Sequence, residues 1–149
     1  MKKEDKWFLD LCNTVAERSS CSRRQVGAVI VRNGHLLSTG YNGTAKGLLN
    51  CDQGGCPLAS KSRSSGCDLE KGYCCHAEEN AIVQAAYEGV STKGATLYCK
   101  LLPCFLCAKM IINSGIKRVV YREDYADKTS SLMLKEAKVS LRRISDYRS

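Results

Sequence analysis

The sequence predicts an α/β fold in which one mixed, five-stranded sheet carries helices on both faces. Two observations support this prediction. Near the N-terminus, two β-rich runs flank Asn33-Gly34, a dipeptide typical of a tight hairpin turn. Further along the chain, short apolar runs alternate with helical segments, an order that favours parallel strands joined by right-handed crossovers.

Apolar periodicity places the individual elements. The predicted helices cover residues 4–18, 76–89, 103–112 and 130–138. The predicted strands cover residues 26–31, 35–39, 95–101 and 139–144, and a further strand is centred on residues 119–121. Pro103 and Gly115 mark the ends of the third helix, because proline is favoured at helix starts and glycine just beyond helix ends. Residues 43–73 show no clean periodicity and are too many for an unstructured connection, so something must order them.

Length limits the number of domains. The chain has 149 residues, enough for one domain with a sizeable core and too few for two. We therefore expect a single domain over residues 1–149, with a cysteine-rich insertion at about residues 43–75. No apolar run is long enough to span a membrane, and residues 1–7 lack the apolar stretch of a signal peptide. These features predict a soluble, cytoplasmic protein without a membrane partner.

The formal net charge of +8 suggests an anionic partner, either nucleic acid or a phosphorylated small molecule. The basic residues are scattered, however, apart from a C-terminal group between Lys135 and Arg148. Metal binding would also deprotonate cysteines and reduce the true excess. A solvated basic surface explains the charge better than a nucleic-acid site, and no nucleic-acid partner is expected.

Ten cysteines in a chain of this length require an explanation. A secreted disulfide scaffold is one reading, but such scaffolds usually have a signal sequence and a smaller, loop-rich domain. In a reducing cytosol, cysteines at short spacing beside a histidine are more typical of metal ligands. The sequence therefore favours metal binding over disulfides.

Two short motifs contain the residues that are expected to bind a metal and carry out a reaction. His76-Ala77-Glu78 opens one predicted helix, and Pro103-Cys104-Phe105-Leu106-Cys107 opens the next, with one strand between them. One imidazole and two thiolates leave a fourth zinc position open, as in catalytic sites. The positive end of a helix lowers thiol pKa values and so favours both thiolates. In this order, the motifs match the signature of zinc nucleobase deaminases.

Each motif alone has a plainer interpretation. A lone Cys-x-x-Cys pair is compatible with a structural zinc half-site or a redox pair, and a lone His-x-Glu at a helix start is unremarkable. Their combination is far more specific. His35, the other histidine, follows the hairpin turn and is expected to be exposed. Glu78, which is not a ligand, is expected to take a proton from water and deliver it to N3 of a cytosine ring. It is then expected to pass a proton to the departing amine.

Further motifs extend along nearly the whole chain: Ser20-Cys21, Val26-Gly27-Ala28, Gly40-Tyr41-Asn42-Gly43, Cys51, residues 76–81, residues 103–109 and Ser114-Gly115-Ile116-Lys117. Together they resemble the deoxycytidylate (dCMP) deaminases, including the competence-operon members. The resemblance implies the three-layer α/β/α cytidine-deaminase-like fold and hydrolysis of dCMP to dUMP, feeding dTTP synthesis. It also implies homohexamers that dCTP activates and dTTP inhibits, with Mg²⁺ accompanying the bound effector.

The resemblance also suggests nucleotide contacts. In similar deaminases the residue matching Asn42 contacts the nucleotide sugar, and the loop that holds Tyr41 and Gly43 takes part in effector binding. A simple turn is the plainer alternative, since asparagine and glycine both suit turns. Candidates for the phosphate receptor are Arg23, Arg24 and Lys100, although plain surface charge explains each nearly as well.

Six further cysteines suggest a second metal: Cys21, Cys51, Cys56, Cys67, Cys74 and Cys75. Some members of the resembled family hold a structural zinc with residues matching Cys21 and Cys51. Cys56 and Cys74 are the preferred completions, with Cys67 as a substitute, and a four-cysteine site would order the insertion. Cys75, next to His76, is left out.

The two remaining cysteines, Cys12 and Cys99, fit core positions on a helix and a strand. Two other functions remain open at this stage. One is a deaminase of another base, such as tRNA adenosine or guanine, which would share the zinc motif. The other is a non-catalytic nucleotide-binding or DNA-binding module, which would have no use for Glu78.

Overall fold

The computed structural model describes residues 2–58 and 72–145. The helices are α1 (Lys3–Ala16), α2 (Ala77–Tyr87), α3 (Phe105–Asn113) and α4 (Thr129–Glu136). The strands are β1 (Gly27–Arg32), β2 (His35–Tyr41), β3 (Gly43–Thr44), β4 (Cys74–Cys75), β5 (Thr96–Leu101), β6 (Arg118–Glu123) and β7 (Ser140–Arg143). A short 3₁₀ turn covers Cys51–Gln53. None of the helices in this described part combines the length and apolar character needed to cross a membrane.

The main sheet has five strands in the order β2-β1-β5-β6-β7. β1 pairs antiparallel with both β2 and β5, whereas β5, β6 and β7 run parallel. The predicted mixed sheet is confirmed, and its antiparallel part extends beyond the first hairpin to include β5. Sequence reasoning missed the small sheet in which β3 pairs with β4, because two-residue strands have no detectable periodicity.

The predicted hairpin turn is confirmed. Asn33 and Gly34 both have positive φ angles, 53° and 76°, as a type I′ turn requires. His35 follows the turn and is exposed, as expected. The register shifts between Ile30 and Val31, so a bulge accompanies the turn.

Alternation along β1 separates two layers of core. Val29 and Val31 pack with Phe8 and Leu9 of α1, whereas Ala28 and Ile30 belong to the core shared with α2, α3 and α4. Helices therefore cover both faces of the sheet, as the sequence predicted. Cys12 and Cys99 are buried at 1% and 0% exposure, which confirms their predicted core positions.

A buried carboxylate joins α1 to the sheet. Asp5 is 1% exposed and accepts hydrogen bonds from Tyr98 Oη at 2.9 Å and from both terminal nitrogens of Arg118 at 3.0 and 2.8 Å. Burial acts to raise the pKa of Asp5, but the hydrogen bonds from Arg118 and Tyr98 and the charge of Arg118 lower it overall. The ionised carboxylate is therefore the stable form in the folded protein.

We expect Asp5→Ala to reduce the free energy of unfolding by about 3 kcal/mol, because breaking a buried pair leaves Arg118 without its partner. Urea unfolding at neutral pH measures this loss. Since the folded-state pKa of Asp5 is depressed, its contribution is present above the unfolded value of about 3.9 and is lost as pH falls through the folded value. The stability gap between wild type and variant should thus narrow below about pH 4. A gap that stays constant from pH 6 to pH 3 would contradict this account.

Candidate metal centre

Two helix starts bring the three predicted ligands together. His76 immediately precedes α2, Cys104 immediately precedes α3, and Cys107 lies in the first turn of α3. His76 Nδ1 lies 3.3 Å from Cys104 Sγ and 3.4 Å from Cys107 Sγ. The three ligand atoms all lie within 4.8 Å of one another. The structure thus assembles the cluster that the sequence predicted.

The prediction that Pro103 opens the helix was wrong by two positions. Cys104 has extended backbone angles, φ −68° and ψ 169°, and the first helical residue is Phe105. Cys104 is therefore the N-cap, and Pro103 lies one residue outside the helix. The predicted start of α2 shifts in the same way, because His76 is itself extended. In both places the metal-binding residue occupies the cap, where its side chain can turn away from the helix axis.

This donor set fits zinc. One nitrogen and two sulfur atoms converge at a largely buried site, with Cys104 at 4% and Cys107 at 1% exposure. Zinc bonds of about 2.0 Å to nitrogen and about 2.3 Å to sulfur give a tetrahedral N···S edge of about 3.6 Å. The observed 3.3 and 3.4 Å separations are close to that edge. Three protein ligands also match the number found in catalytic zinc sites.

The electrostatics of the cluster favour a thiolate on Cys104 beside a protonated His76. Hydrogen bonding from the Cys107 thiol and the nearby His76 lower the pKa of Cys104 to about 4, against the opposing effect of burial. The same proton sharing raises the pKa of Cys107, whose burial acts in the same direction. The hydrogen bond with Cys104 raises the pKa of His76 to about 9. A metal ion bound here would take the place of the His76 proton, since histidine ligates metal only as the neutral imidazole.

Glu78 lies beside the cluster. It is 6% exposed, and the Cys107 thiol donates to its Oε2 at 3.8 Å. Burial raises the pKa of Glu78, although the charge on His76 opposes this shift. A buried carboxyl with a raised pKa can both accept and release a proton near neutral pH. The structure thus places the predicted proton carrier next to the metal ligands.

Glu79 holds the start of α2. Its carboxylate accepts the backbone N–H of His76 at 3.1 Å, which satisfies a donor that the helix itself leaves free. Sequence reasoning missed this residue. The capping-box spacing, an acidic residue three positions after the cap, was the available signal.

A cleft of about 400 Å³ opens at one side of the cluster. His76 and Cys107 border it, together with Tyr73, Glu79 and Lys109. The volume lies within the range of small-ligand sites. Lys109, which sequence reasoning did not single out as a functional side chain, contributes a positive charge to this cleft.

Three of the other predicted metal-binding cysteines form a second cluster. The sulfur atoms of Cys21, Cys51 and Cys74 lie within 4.8 Å of one another, and those of Cys51 and Cys74 are 2.8 Å apart. Cys56 is 7% exposed and packs in the same group, which we call the cysteine cluster. Cys67, the predicted substitute, lies outside the described residues.

The predicted nucleotide-binding loop runs alongside the metal centre. Gly43 pairs with Cys75, the residue before His76. Tyr41 ends β2, and the guanidinium of Arg18 lies over its ring at 5.4 Å. The loop therefore lies next to the start of α2, where a segment that binds the nucleotide near the metal centre would have to lie.

The side chain of Asn42 is engaged within the chain. Its Oδ1 accepts the Val26 N–H at 2.8 Å, and its Nδ2 donates to the Arg24 carbonyl at 2.7 Å. An amide offers two donor hydrogens and two acceptor positions, so one of each remains for a ligand. Arg23 and Arg24 are exposed in the connected segment, and Lys100 lies half-buried in β5.

The fold and the cluster together define an α/β/α protein built around a zinc-binding centre with a buried glutamate. The chain belongs to the family of the cytidine and deoxycytidylate deaminase zinc-binding region, whose model matches residues 2–123.

Individual relatives support this assignment. The chain is 42% identical to the deoxycytidylate deaminase of Schizosaccharomyces pombe over 140 residues, which cover 93% of this chain but 43% of that protein. The chain thus spans less than half the length of this relative. It is 40% identical over 121 residues to ComE operon protein 2 of Bacillus subtilis, covering 81% of this chain and 60% of that protein.

A solved structure extends the comparison to the fold. The dCMP deaminase of the cyanophage S-TIM5, crystallised in complex with dCMP and dUMP, superposes with a TM-score of 0.80 at 31% identity. The match covers 97% of this chain and 99% of the phage protein. The predicted three-layer arrangement is confirmed by this likeness.

Proposed function

We propose that this chain hydrolyses dCMP to dUMP and ammonia and so feeds dTTP synthesis. The observation that carries the proposal is the convergence of His76, Cys104 and Cys107 beside the buried carboxyl of Glu78. The names of the relatives support it, as does the phage enzyme crystallised with dCMP and dUMP. A non-catalytic module would have no reason to bury a carboxyl at this position, at a cost in desolvation.

His76, Cys104 and Cys107 would hold the zinc ion. Bound there, zinc supplies the Lewis acidity that makes water a nucleophile at neutral pH. Glu78 accepts the proton of the attacking water and passes it to N3 of the cytosine ring, which makes C4 more electrophilic. After water has added at C4, Glu78 takes the second proton from the new C4 hydroxyl and delivers it to the amino group, so that the C4–N bond breaks, ammonia leaves and the C4 carbonyl of the uracil ring forms. Because Glu78 is buried, its proton is not exchanged freely with bulk water between these steps.

The nucleotide is proposed to lie against the loop of residues 40–43. The remaining amide N–H of Asn42 would bind the sugar, with Tyr41 and Gly43 on either side of it in the chain. Arg24 is held to the same loop through its carbonyl and is the proposed phosphate contact, with Arg23 and Lys100 as alternatives.

A second, structural zinc is proposed at Cys21, Cys51, Cys56 and Cys74. Burial acts to raise the pKa of Cys56, but hydrogen bonds from the backbone of Leu58, Tyr73 and Cys74 and from the Cys74 thiol lower it overall. Backbone donors directed at a sulfur atom favour its thiolate form, which is the form that binds metal. This argument supports Cys56 as the fourth ligand.

The proposals for regulation and oligomeric assembly are based on the resemblance to the dCMP deaminases. We propose activation by dCTP and inhibition by dTTP, each with Mg²⁺, and a homohexamer. A cytoplasmic location suits the nine free cysteines among the described residues, since thiols stay reduced there.

The arrangement of the basic residues favours a small-molecule substrate over RNA. Arg118, Arg142 and Arg143 are paired with Asp5 or Asp124 rather than arranged as an open patch.

The test is ammonia release from dCMP by the full chain, with dCTP plus Mg²⁺ and then dTTP added in parallel. We expect turnover that dCTP raises and dTTP suppresses. Turnover without any effect of the triphosphates would retain the reaction and remove the regulation. Activity only on another amino-substituted base, such as adenosine in tRNA or free guanine, would overturn the substrate assignment while retaining the zinc chemistry.

A further inference from the structure

The segment that ends β2 lies directly against the first turns of α2. An ideal Cβ placed on Gly40 would lie 2.2 Å from the Ala77 carbonyl oxygen and 2.3 Å from the Ala81 nitrogen. The backbone of β2 at Gly40 therefore contacts the backbone of the helix turn that contains Glu78. Any shift of this segment along α2 changes the distance between the nucleotide-binding loop and Glu78.

Two side chains tie β2 to the helix: the Ser38 hydroxyl donates to the Ala81 carbonyl at 2.7 Å, and Asn80 holds the end of the strand. Asn80, half-buried and two residues after Glu78, donates from Nδ2 to the Tyr41 carbonyl at 2.8 Å. This hydrogen bond lies outside the sheet ladder in which Tyr41 pairs with Gly27. It fixes the end of β2 to the same helix turn that contains the proton carrier.

The connection continues beyond Tyr41. The backbone carbonyl of Asn42 accepts the Ser19 hydroxyl at 2.7 Å, and its side chain binds the backbone of Val26 and Arg24. Residues 19–26 are thus held by Asn42, and Asn42 follows the residue that Asn80 holds. The Asn80 hydrogen bond therefore joins the helix turn of Glu78 to the point from which both chain segments are held.

We propose that Asn80 is a positioning residue for nucleotide binding: it holds the loop of residues 40–43, and through it residues 19–26, at the correct distance from Glu78. The inference rests on the proposed function, in which these two segments contact the nucleotide. The Asn80 amide donates to the Tyr41 carbonyl and is assigned no part in holding zinc or in moving the proton. Its loss weakens binding of the nucleotide far more than it slows the chemical step.

The test compares Asn80→Asp and Asn80→Leu with wild type, using dUMP affinity by calorimetry and kcat and KM for dCMP. Both variants are close in size to asparagine, and neither can donate to the Tyr41 carbonyl. We expect the dissociation constant of dUMP and the KM of dCMP to rise about tenfold, the equivalent of one lost hydrogen bond. kcat should stay within about threefold, and zinc content should not change.

Gln84→Leu is the matched control. Gln84 is also a half-buried amide on α2, one turn beyond Asn80, and it donates to the Glu88 carboxylate at 3.1 Å rather than to the loop. Hydrogen exchange of residues 19–26 and 40–43 should accelerate in the Asn80 variants and not in this control. If Asn80→Asp does not fold, Asn80→Ala removes the donor without adding a charge and gives the same comparison.

Three results would decide against the proposal. Unchanged dUMP affinity in folded Asn80 variants, with wild type binding normally, overturns the role of Asn80 alone. A loss confined to kcat also overturns it, because positioning of the nucleotide predicts a change in KM. A wild type that neither turns over dCMP nor binds dUMP overturns the proposed function itself, and with it the nucleotide that Asn80 would position.

Discussion

Glu78→Gln should lower kcat for dCMP about a thousandfold while leaving the fold and the zinc content unchanged. Glutamine has nearly the same shape as glutamate but cannot accept and release a proton at neutral pH. Glu78 is buried beside Cys107 and is not needed to complete the ligand set of His76, Cys104 and Cys107. The loss therefore falls on proton transfer, and steady-state ammonia release measures it.

Glu79→Gln provides the matched control for this prediction. It makes the same chemical change one residue away, and its amide oxygen can still accept the His76 N–H. We expect its kcat to stay within about threefold of wild type. Metal analysis of both variants by mass spectrometry shows whether zinc is retained. If Glu78→Gln keeps more than a tenth of wild-type activity with full zinc content, Glu78 is not the proton carrier.

Local patterns explain why much of the fold was predictable. The Asn33-Gly34 turn, the continuous apolar run of β1 and the helical spacing in α1 each depend on neighbours in sequence. The ligands at Cys104 and Cys107 also form a local pattern, because a cap and the third residue beyond it are brought together by the first helix turn. His76 could be added because its motif opens the preceding helix.

Other features depend on contacts between distant parts of the chain. The antiparallel pairing of β1 with β5 joins residues about 70 positions apart, and no motif in either strand specifies a partner. The exact start of α3 was missed because proline suggests a first helical position, whereas the cysteine after it takes the cap. The bond from Asn80 to Tyr41 spans 39 residues and becomes visible only once β2 and α2 are packed together.

Asn42 shows how a motif can be placed correctly without its chemistry being fully described. The loop does lie beside the metal centre, since Gly43 pairs with Cys75. Sequence reasoning considered either a turn or a sugar contact for Asn42. The structure shows that its amide also joins residues 24 and 26 to the loop, a function that requires knowledge of both segments in space.

The cysteine cluster leads to the other large expected effect. Wild-type protein should contain about two zinc ions per chain, and Cys51→Ser should reduce this to about one. Cys51 is 4% exposed, and its sulfur atom lies 2.8 Å from that of Cys74, so the variant removes a central ligand. Because metal binding at such sites is coupled to folding, the variant should also lose several kcal/mol of stability. Inductively coupled plasma mass spectrometry and thermal unfolding measure the two effects.

Further variants show which zinc is lost and which residues hold it. Cys75→Ser changes a half-buried thiol that adjoins Cys74 but is not part of the cluster, and it should keep both ions. Cys56→Ser should behave like Cys51→Ser, whereas Cys67→Ser should have no effect; the reverse outcome would make Cys67 the fourth ligand. In Cys51→Ser the remaining ion should disappear when Cys104→Ser is added, because it then occupies the centre at His76. A wild type with about one zinc ion per chain would show that the cysteine cluster holds no metal.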